Sequence, residues 1–286
     1  MTYSQILFFI LIFWSNSASG TDGNELNTSF TSHANGMTFV STIDGFLRAI
    51  DPETGVTKWK LKEDPVLRAP TTIQRRLTFI PDPRDGSLYM LVEGHLKKLP
   101  YSIPELVNFS PCRSSDGVLY IGNKKDIWLE INLKTGSKKG ELSHSSDSSQ
   151  CPISTGKTTY IGRTVYQLTM FDVENHRRKW NATFADYSSH LLAADVSYPY
   201  QHFASSSDGH LLTVDAATGT VLWDRNLGSA IVALYLLRND GLHKLPYTVV
   251  GKETMEELTK VRYNLKVFED HIFSVKLFPE KSFLLV

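Results

Sequence analysis

Apolar and polar residues alternate along most of this chain in short runs, the period of two that a strand shows when its faces meet different surroundings. In "FLRAI", residues 46–50, Phe46, Arg48 and Ile50 fall on one side and Leu47 and Ala49 on the other. A short apolar strand precedes each run, as "MTFVST" does before Asp44 and "HFASS" before Asp208. Turn residues follow. "DPETG", "NLKTG" and "DAATG" begin with Asp or Asn, whose side chain can accept from its own turn, and end with Gly, which takes a positive φ at little cost. A third strand then closes on Trp59, Trp180 or Trp223, each eight residues after a turn aspartate (Asp51, Asp172, Asp215). The tryptophans are expected to pack between neighbouring sheets, with ligand stacking the lesser alternative. The three aspartates have a sufficient structural role in their turns.

The whole plan recurs. "DGFLRAIDPETGVTKW" (44–59) returns almost unchanged as "DGHLLTVDAATGTVLW" (208–223), and "DGSLYMLVEGHLKKL", "KDIWLEINLKTGSKKGEL" and "VYQLTMFDVENHRRKW" are weaker copies between them. Units therefore start at 44, 85, 125, 165 and 208, at intervals of 41, 40, 40 and 43. Antiparallel units of about forty residues are what propeller blades look like. The predicted fold is all-β: a propeller-like assembly of about five repeats of roughly 41 residues, of the quinoprotein type, either closed or incomplete. An incomplete ring leaves edge strands to which a partner chain or an extended peptide can add.

Composition narrows the function. Thirty basic residues balance 30 acidic ones, so no net field draws nucleic acid to the chain. The first twenty residues, "MTYSQILFFILIFWSNSASG", carry an apolar core from Ile6 to Trp14, then small residues with Ala18 and Gly20 at the −3 and −1 positions of a cleavage site; they read as a secretory signal peptide. Sequons at Asn27, Asn108 and Asn181 fit that route. Cys112 and Cys151 fall at equivalent places in adjacent repeats, so their separation argues for free or intermolecularly paired redox thiols, with an intramolecular bridge the alternative.

Catalytic motifs are missing from the sequence: it has no Walker loop, no G-x-S-x-G elbow, no H-E-x-x-H, no Cys-x-x-Cys and no kinase signature. No catalytic, cofactor-binding or metal-binding residue is therefore assigned, and a binding role is expected rather than an enzymatic one.

Longer, unrepetitive stretches go further. "LKEDPVLRAPTT", "LKKLPYSIPELVNFSPCRSSDGVLYIGNKKDIWLEINLKTG", "RKWNATFADY" and "DGHLLTVDAATGTVLWDRNLGSAIVALY" closely resemble the lumenal sensor domain of the inositol-requiring enzyme family, the kinases and endoribonucleases of the unfolded protein response. The resemblance covers roughly residues 36–258 and divides the chain into a signal peptide (1–20), a lumenal β-repeat sensor domain (21–258) and a divergent tail (259–286), with the membrane helix, kinase and nuclease absent. The related pancreatic ER kinase shares the architecture, but "PCRSSDGVLY" fits the inositol-requiring type better.

What the resemblance implies is a non-catalytic ER-lumenal domain that detects unfolded polypeptide, is held by the chaperone BiP and dimerises. The family's dimer surface matches "SPCRSSDGVLYIGNKKDIW" here, giving Leu119, Tyr120, Lys124, Asp126 and Trp128 as contacts, with Lys124 and Asp126 as paired charges and Trp128 as an anchor. For Leu119 and Trp128 a place in the sheet core stands as the alternative. A glycan on Asn108 would lie next to this strand. Two other classes compete: a fragment of a quinoprotein-type propeller enzyme, and a repeat scaffold that senses nothing.

Overall fold

The computed structural model describes residues 37–72, 77–92, 94–114, 117–143, 158–175, 177–193 and 196–269. Strands β1 (Thr38–Thr42), β2 (Phe46–Ile50) and β3 (Thr57–Lys62) form the meander expected of the first unit. Their first turn depends on Gly45, whose φ is 91° and where a Cβ would lie 2.4 Å from the Glu63 carbonyl oxygen. After β4 (Leu67–Arg68), the second unit is a sheet of three strands, β5 (Phe79–Pro81), β6 (Ser87–Val92) and β7 (His95–Ser102). Helix α1 (Ile103–Phe109) follows, its start fixed by a capping box between Ser102 and Glu105.

The next strands are β8 (Cys112–Arg113), β9 (Val118–Asn132), β10 (Lys138–Ser143), β11 (Thr158–Asp172) and β12 (Lys179–Tyr187). They form a third sheet in the order β10-β9-β11-β12-β4, with β8 beside β9. The last unit supplies β14 (Tyr200–Ser205), β15 (His210–Asp215) and β16 (Val221–Asn226), joined by β19 (Thr248–Val250) in a fourth sheet. Strands β13 (Ser189–Leu191), β17 (Ile231–Arg238) and β18 (Gly241–Leu245) return to the first sheet, where β17 runs antiparallel to β1 with Thr38 opposite Leu236. Helix α2 (Lys252–Glu269) ends the described chain and runs unbroken through residues 258 and 259, where the sequence divides sensor domain from tail.

The five sequence units thus fill four sheets of a propeller-like arrangement. The third and fourth units lack the Asp-Gly pair. Gly122 and Gly162 stand at these junctions without a positive φ, and "VLYIGN" and "KDIWLEIN" fuse into the single 15-residue strand β9, and "TYIGR" and "VYQLTMFD" into the 15-residue β11. The two long strands then pair along their whole length.

Side chains join the sheets in the order fourth, first, third, second. Val40, Ile50 and Leu234 meet Ala204, Leu211 and Trp223 between fourth and first; Phe39, Leu47 and Trp59 meet Ile127, Leu129 and Ile161 between first and third; Leu77, Phe79 and Leu88 meet Leu168, Met170 and Trp180 between third and second. Helix α2 covers the remaining face of the fourth sheet with Met255 against Leu212 and Val214. Two tryptophans lock neighbouring sheets by the same device. Trp59 Nε1 donates to the Leu133 carbonyl at 2.7 Å with its ring over Gly136, and Trp223 Nε1 donates to the Pro52 carbonyl at 2.6 Å with its ring over Gly55. The turn that precedes each tryptophan is held as expected: Asp51 Oδ1 accepts from the Glu53 and Thr54 amides, Asp215 Oδ1 from those of Ala217 and Thr218, and Asp172 Oδ1 from Glu174. Trp180 is also buried, but its Nε1 finds no acceptor among the described residues and its ring meets Phe79 edge to face at 5.5 Å. All three are core residues.

Candidate interaction surface

Strand β9 changes cover along its length. Near its start, even-numbered residues face the core: Tyr120 is only 6% exposed and packs with Ile103, Leu106 and Val107 of α1. Towards its end the odd-numbered Ile127, Leu129 and Ile131 are buried against the first sheet. Because successive side chains point to opposite faces, the even residues 124, 126 and 128 are turned outward where the odd ones are covered.

Lys124, Asp126 and Trp128 therefore share one open face. Lys124 Nζ lies 3.2 Å from Asp126 Oδ2, and the Thr164 hydroxyl donates to Asp126 Oδ1 at 2.6 Å from the paired strand β11. The Thr164 hydroxyl first, and Lys124 after it, hold the Asp126 carboxyl below its ordinary range. Trp128 is 46% exposed; it stands opposite Gly162 on β11 and Leu142 on β10. The core alternative for Trp128 is thereby overturned, since Ile127 and Leu129 already occupy the inward positions on either side of it.

The other two predicted contacts lie elsewhere. Tyr120 is on the same face of β9 but beneath α1, so it belongs to the core and not to the open surface. Leu119 points to the opposite face and is half-buried beside Ile121, which is 53% exposed. What the spacing of the predicted set could not reveal is that α1 covers the first half of the even face.

Among the described residues the middle of the β9 edge is open as well. On the side away from β11, β8 pairs with Leu119 and Tyr120 and β10 with residues 127–131. Between them, among the described residues, the one group seated on that edge is the Ser110 hydroxyl, which accepts from the Gly122 amide at 2.6 Å. Helix α1 crosses at the same point: a Cβ on Gly122 would lie 2.7 Å from the Val107 Cα. At the end of the helix, Phe109 (60% exposed) meets Tyr101 (48%) edge to face at 5.6 Å, an exposed aromatic pair that the strand pattern did not announce. The signal for α1 was in the sequence as Ser102-Ile-Pro-Glu105, a capping signature.

Of the sequons, Asn108 is exposed on α1 beside this surface. Asn181 is exposed on β12 opposite Thr169, which in turn faces Ile121, so it lies on the other face of the third sheet. Cys112 is half-buried in β8. Asn27, Cys151, the signal peptide and the tail from 270 lie outside the described residues. Among the described residues no group of three or more His, Cys, Asp or Glu side chains is placed to hold a metal ion, and no helix is long and apolar enough to cross a membrane.

Comparison with known proteins agrees with this architecture. The chain is 54% identical over 221 residues to the serine/threonine-protein kinase/endoribonuclease ire-1 of Caenorhabditis elegans, a match that takes in 77% of this chain and 23% of that protein. The chain is a homologue of the IRE kinase/endoribonucleases. Human IRE2, a protein of the same description, is 40% identical over 225 residues, covering 78% of this chain and 23% of its own length. The chain thus spans about a quarter of the length of these IRE relatives. Its fold matches the compact lumenal domain of yeast Ire1 with a TM-score of 0.58 at 21% identity, over 75% of this chain and 76% of that one. A family model described as outer membrane protein assembly factor BamB matches residues 106–225, the part that holds the third sheet and most of the fourth.

Proposed function

We propose that this chain is the stress-sensing, ER-lumenal part of an IRE-type kinase/endoribonuclease, that it carries no catalytic site itself, and that it self-associates through the open face and edge of β9. The observation that carries the reading is Trp128, a large aromatic held in the open beside an exposed Lys124–Asp126 pair on a strand whose edge is open among the described residues. An exposed ion pair adds little to the stability of one chain, about 0–1 kcal/mol. Charges on an edge strand also discourage indiscriminate pairing. A second copy turned by a two-fold axis presents the same charges in reverse order, so the surface is self-complementary. Antiparallel pairing of two β9 edges brings the Lys124 and Asp126 side chains of both copies together and lets Trp128 act as the anchor. Unfolded polypeptide and the chaperone BiP are the other partners this function requires, extended polypeptide being suited to open strand edges.

Sedimentation velocity on the unglycosylated chain without its first twenty residues tests the reading. A concentration-dependent dimer is expected, and Trp128→Ala and Asp126→Lys should each abolish it while circular dichroism stays unchanged. A chain that is monomeric at every concentration, or a dimer indifferent to both substitutions, would refute it.

A further inference from the structure

We infer that Asn108 is an N-glycosylation site whose occupancy switches self-association off. The inference rests on the β9 surface proposed above and adds a control to it. Asn108 begins the sequon Asn108-Phe109-Ser110 and is exposed on α1. Its neighbour Val107 lies against Gly122, two positions before Lys124 on the same face of β9, and its other neighbour Phe109 is exposed at the end of the helix. A hydrated, branched oligosaccharide on this helix stands where a second copy must approach. The sequon at Asn181 makes the contrast, because it lies on the opposite face of the sheet.

The fold also sets when the sugar can be added. In the transfer, Asn108 Nδ2 attacks the anomeric carbon of an oligosaccharide carried on a polyprenyl diphosphate. The carbon–oxygen bond to the diphosphate breaks with its electron pair, the Nδ2–carbon bond forms, one amide proton passes to the transferase's base, and polyprenyl diphosphate leaves. The hydroxyl at the third sequon position must be free for recognition, yet in the folded chain Ser110 Oγ is held by the Gly122 amide at 2.6 Å and Asn108 is wound into a helix. Modification therefore has to precede the closing of α1 onto β9. Slow folding of this segment yields sugar-bearing monomers, and fast folding yields chains able to pair.

The test expresses the full chain in a glycosylating secretory host as wild type, Asn108→Gln and Asn181→Gln, maps occupied sites by mass spectrometry of peptides, and compares the three by sedimentation velocity. Expected are an oligosaccharide on Asn108, wild type and Asn181→Gln monomeric at a concentration where Asn108→Gln is dimeric, and recovery of the dimer when wild type is treated with an endoglycosidase. A bare Asn108, or a glycosylated chain that dimerises as well as Asn108→Gln, overturns the inference and leaves the β9 surface standing. A monomeric Asn108→Gln chain overturns the self-association reading itself, and the switch with it.

Discussion

Replacing Gly136 with alanine should be more damaging than the same change at Gly228, because Gly136 is the seat of Trp59. Gly136 has φ of 68°, and a Cβ there would sit 2.5 Å from Cδ2 and Cε3 of the indole. The ring cannot simply move aside. Its Nε1 is tied to the Leu133 carbonyl at 2.7 Å and its face meets Phe39 edge-on at 5.2 Å, between the first and third sheets. The left-handed backbone costs an alanine about 1–2 kcal/mol, and forcing a methyl into a packed core costs about 1–3 kcal/mol more. Gly136→Ala should therefore lose about 2–5 kcal/mol. Gly228 is the control: its φ is 77° and nothing lies within 4 Å of a Cβ built on it. Gly228→Ala should lose about 1–2 kcal/mol, the backbone cost alone. Urea unfolding followed by circular dichroism on the chain without its first twenty residues measures both. Equal losses at the two positions would refute the argument that tryptophan docking on turn glycines holds the sheets together.

Two further outcomes follow from buried and capping groups. His202 is buried with Nδ1 2.7 Å from Thr213 Oγ1 and Nε2 2.7 Å from the Tyr198 hydroxyl, which reaches Thr38 at 3.0 Å; burial pushes its pKa down to about 4. The unfolded chain takes up this proton below about pH 6.5 and the folded chain refuses it until about pH 4, so the contribution is intact above the unfolded value and is lost as pH falls through the window between them. Between about pH 7 and pH 5 the loss is about 2 kcal/mol. His202→Gln should flatten that slope in urea titrations, and an unchanged slope would sink the assignment. Ser102→Ala, which removes the hydroxyl side of the α1 capping box, should cost about 1 kcal/mol and raise amide exchange over residues 103–109; unaltered exchange there would argue that packing alone holds α1.

Much of this was legible in the sequence because it is local. Asp51, Asp215 and their glycines announce turns whose side-chain to backbone bonds span two or three residues, and the tryptophans follow at fixed spacing. The fusion of the middle units was legible only in hindsight, as the missing Asp-Gly pairs before Lys125 and Val165. The pairing of β9 with β11 over 15 residues depends on a loop closing between distant segments, which local pattern does not encode. The orientation of Trp128 was hidden for a related reason. Alternation says that 127 and 128 face opposite ways, but which side is covered is decided by the first sheet and α1, elements from other parts of the chain. Helix α2 was missed because the boundary between sensor domain and tail, drawn after residue 258, cuts through "KETMEELTKVRYNLKVFE", whose residues favour a helix.

The pairing of β1 with β17 governs how the protein can be made. Thr38 and its partner Leu236 are separated by roughly 200 residues of sequence, so at about 5–20 residues per second a ribosome takes about 10–40 s to deliver the second strand after the first. For that interval the nascent chain carries β1 with one edge bare, and the first sheet, central to the stack, closes only after the second and third. A high contact order of this kind slows folding and prolongs exposure to chaperones. A nascent chain interrupted before residue 231 would never complete its first blade, however well the second and third had formed.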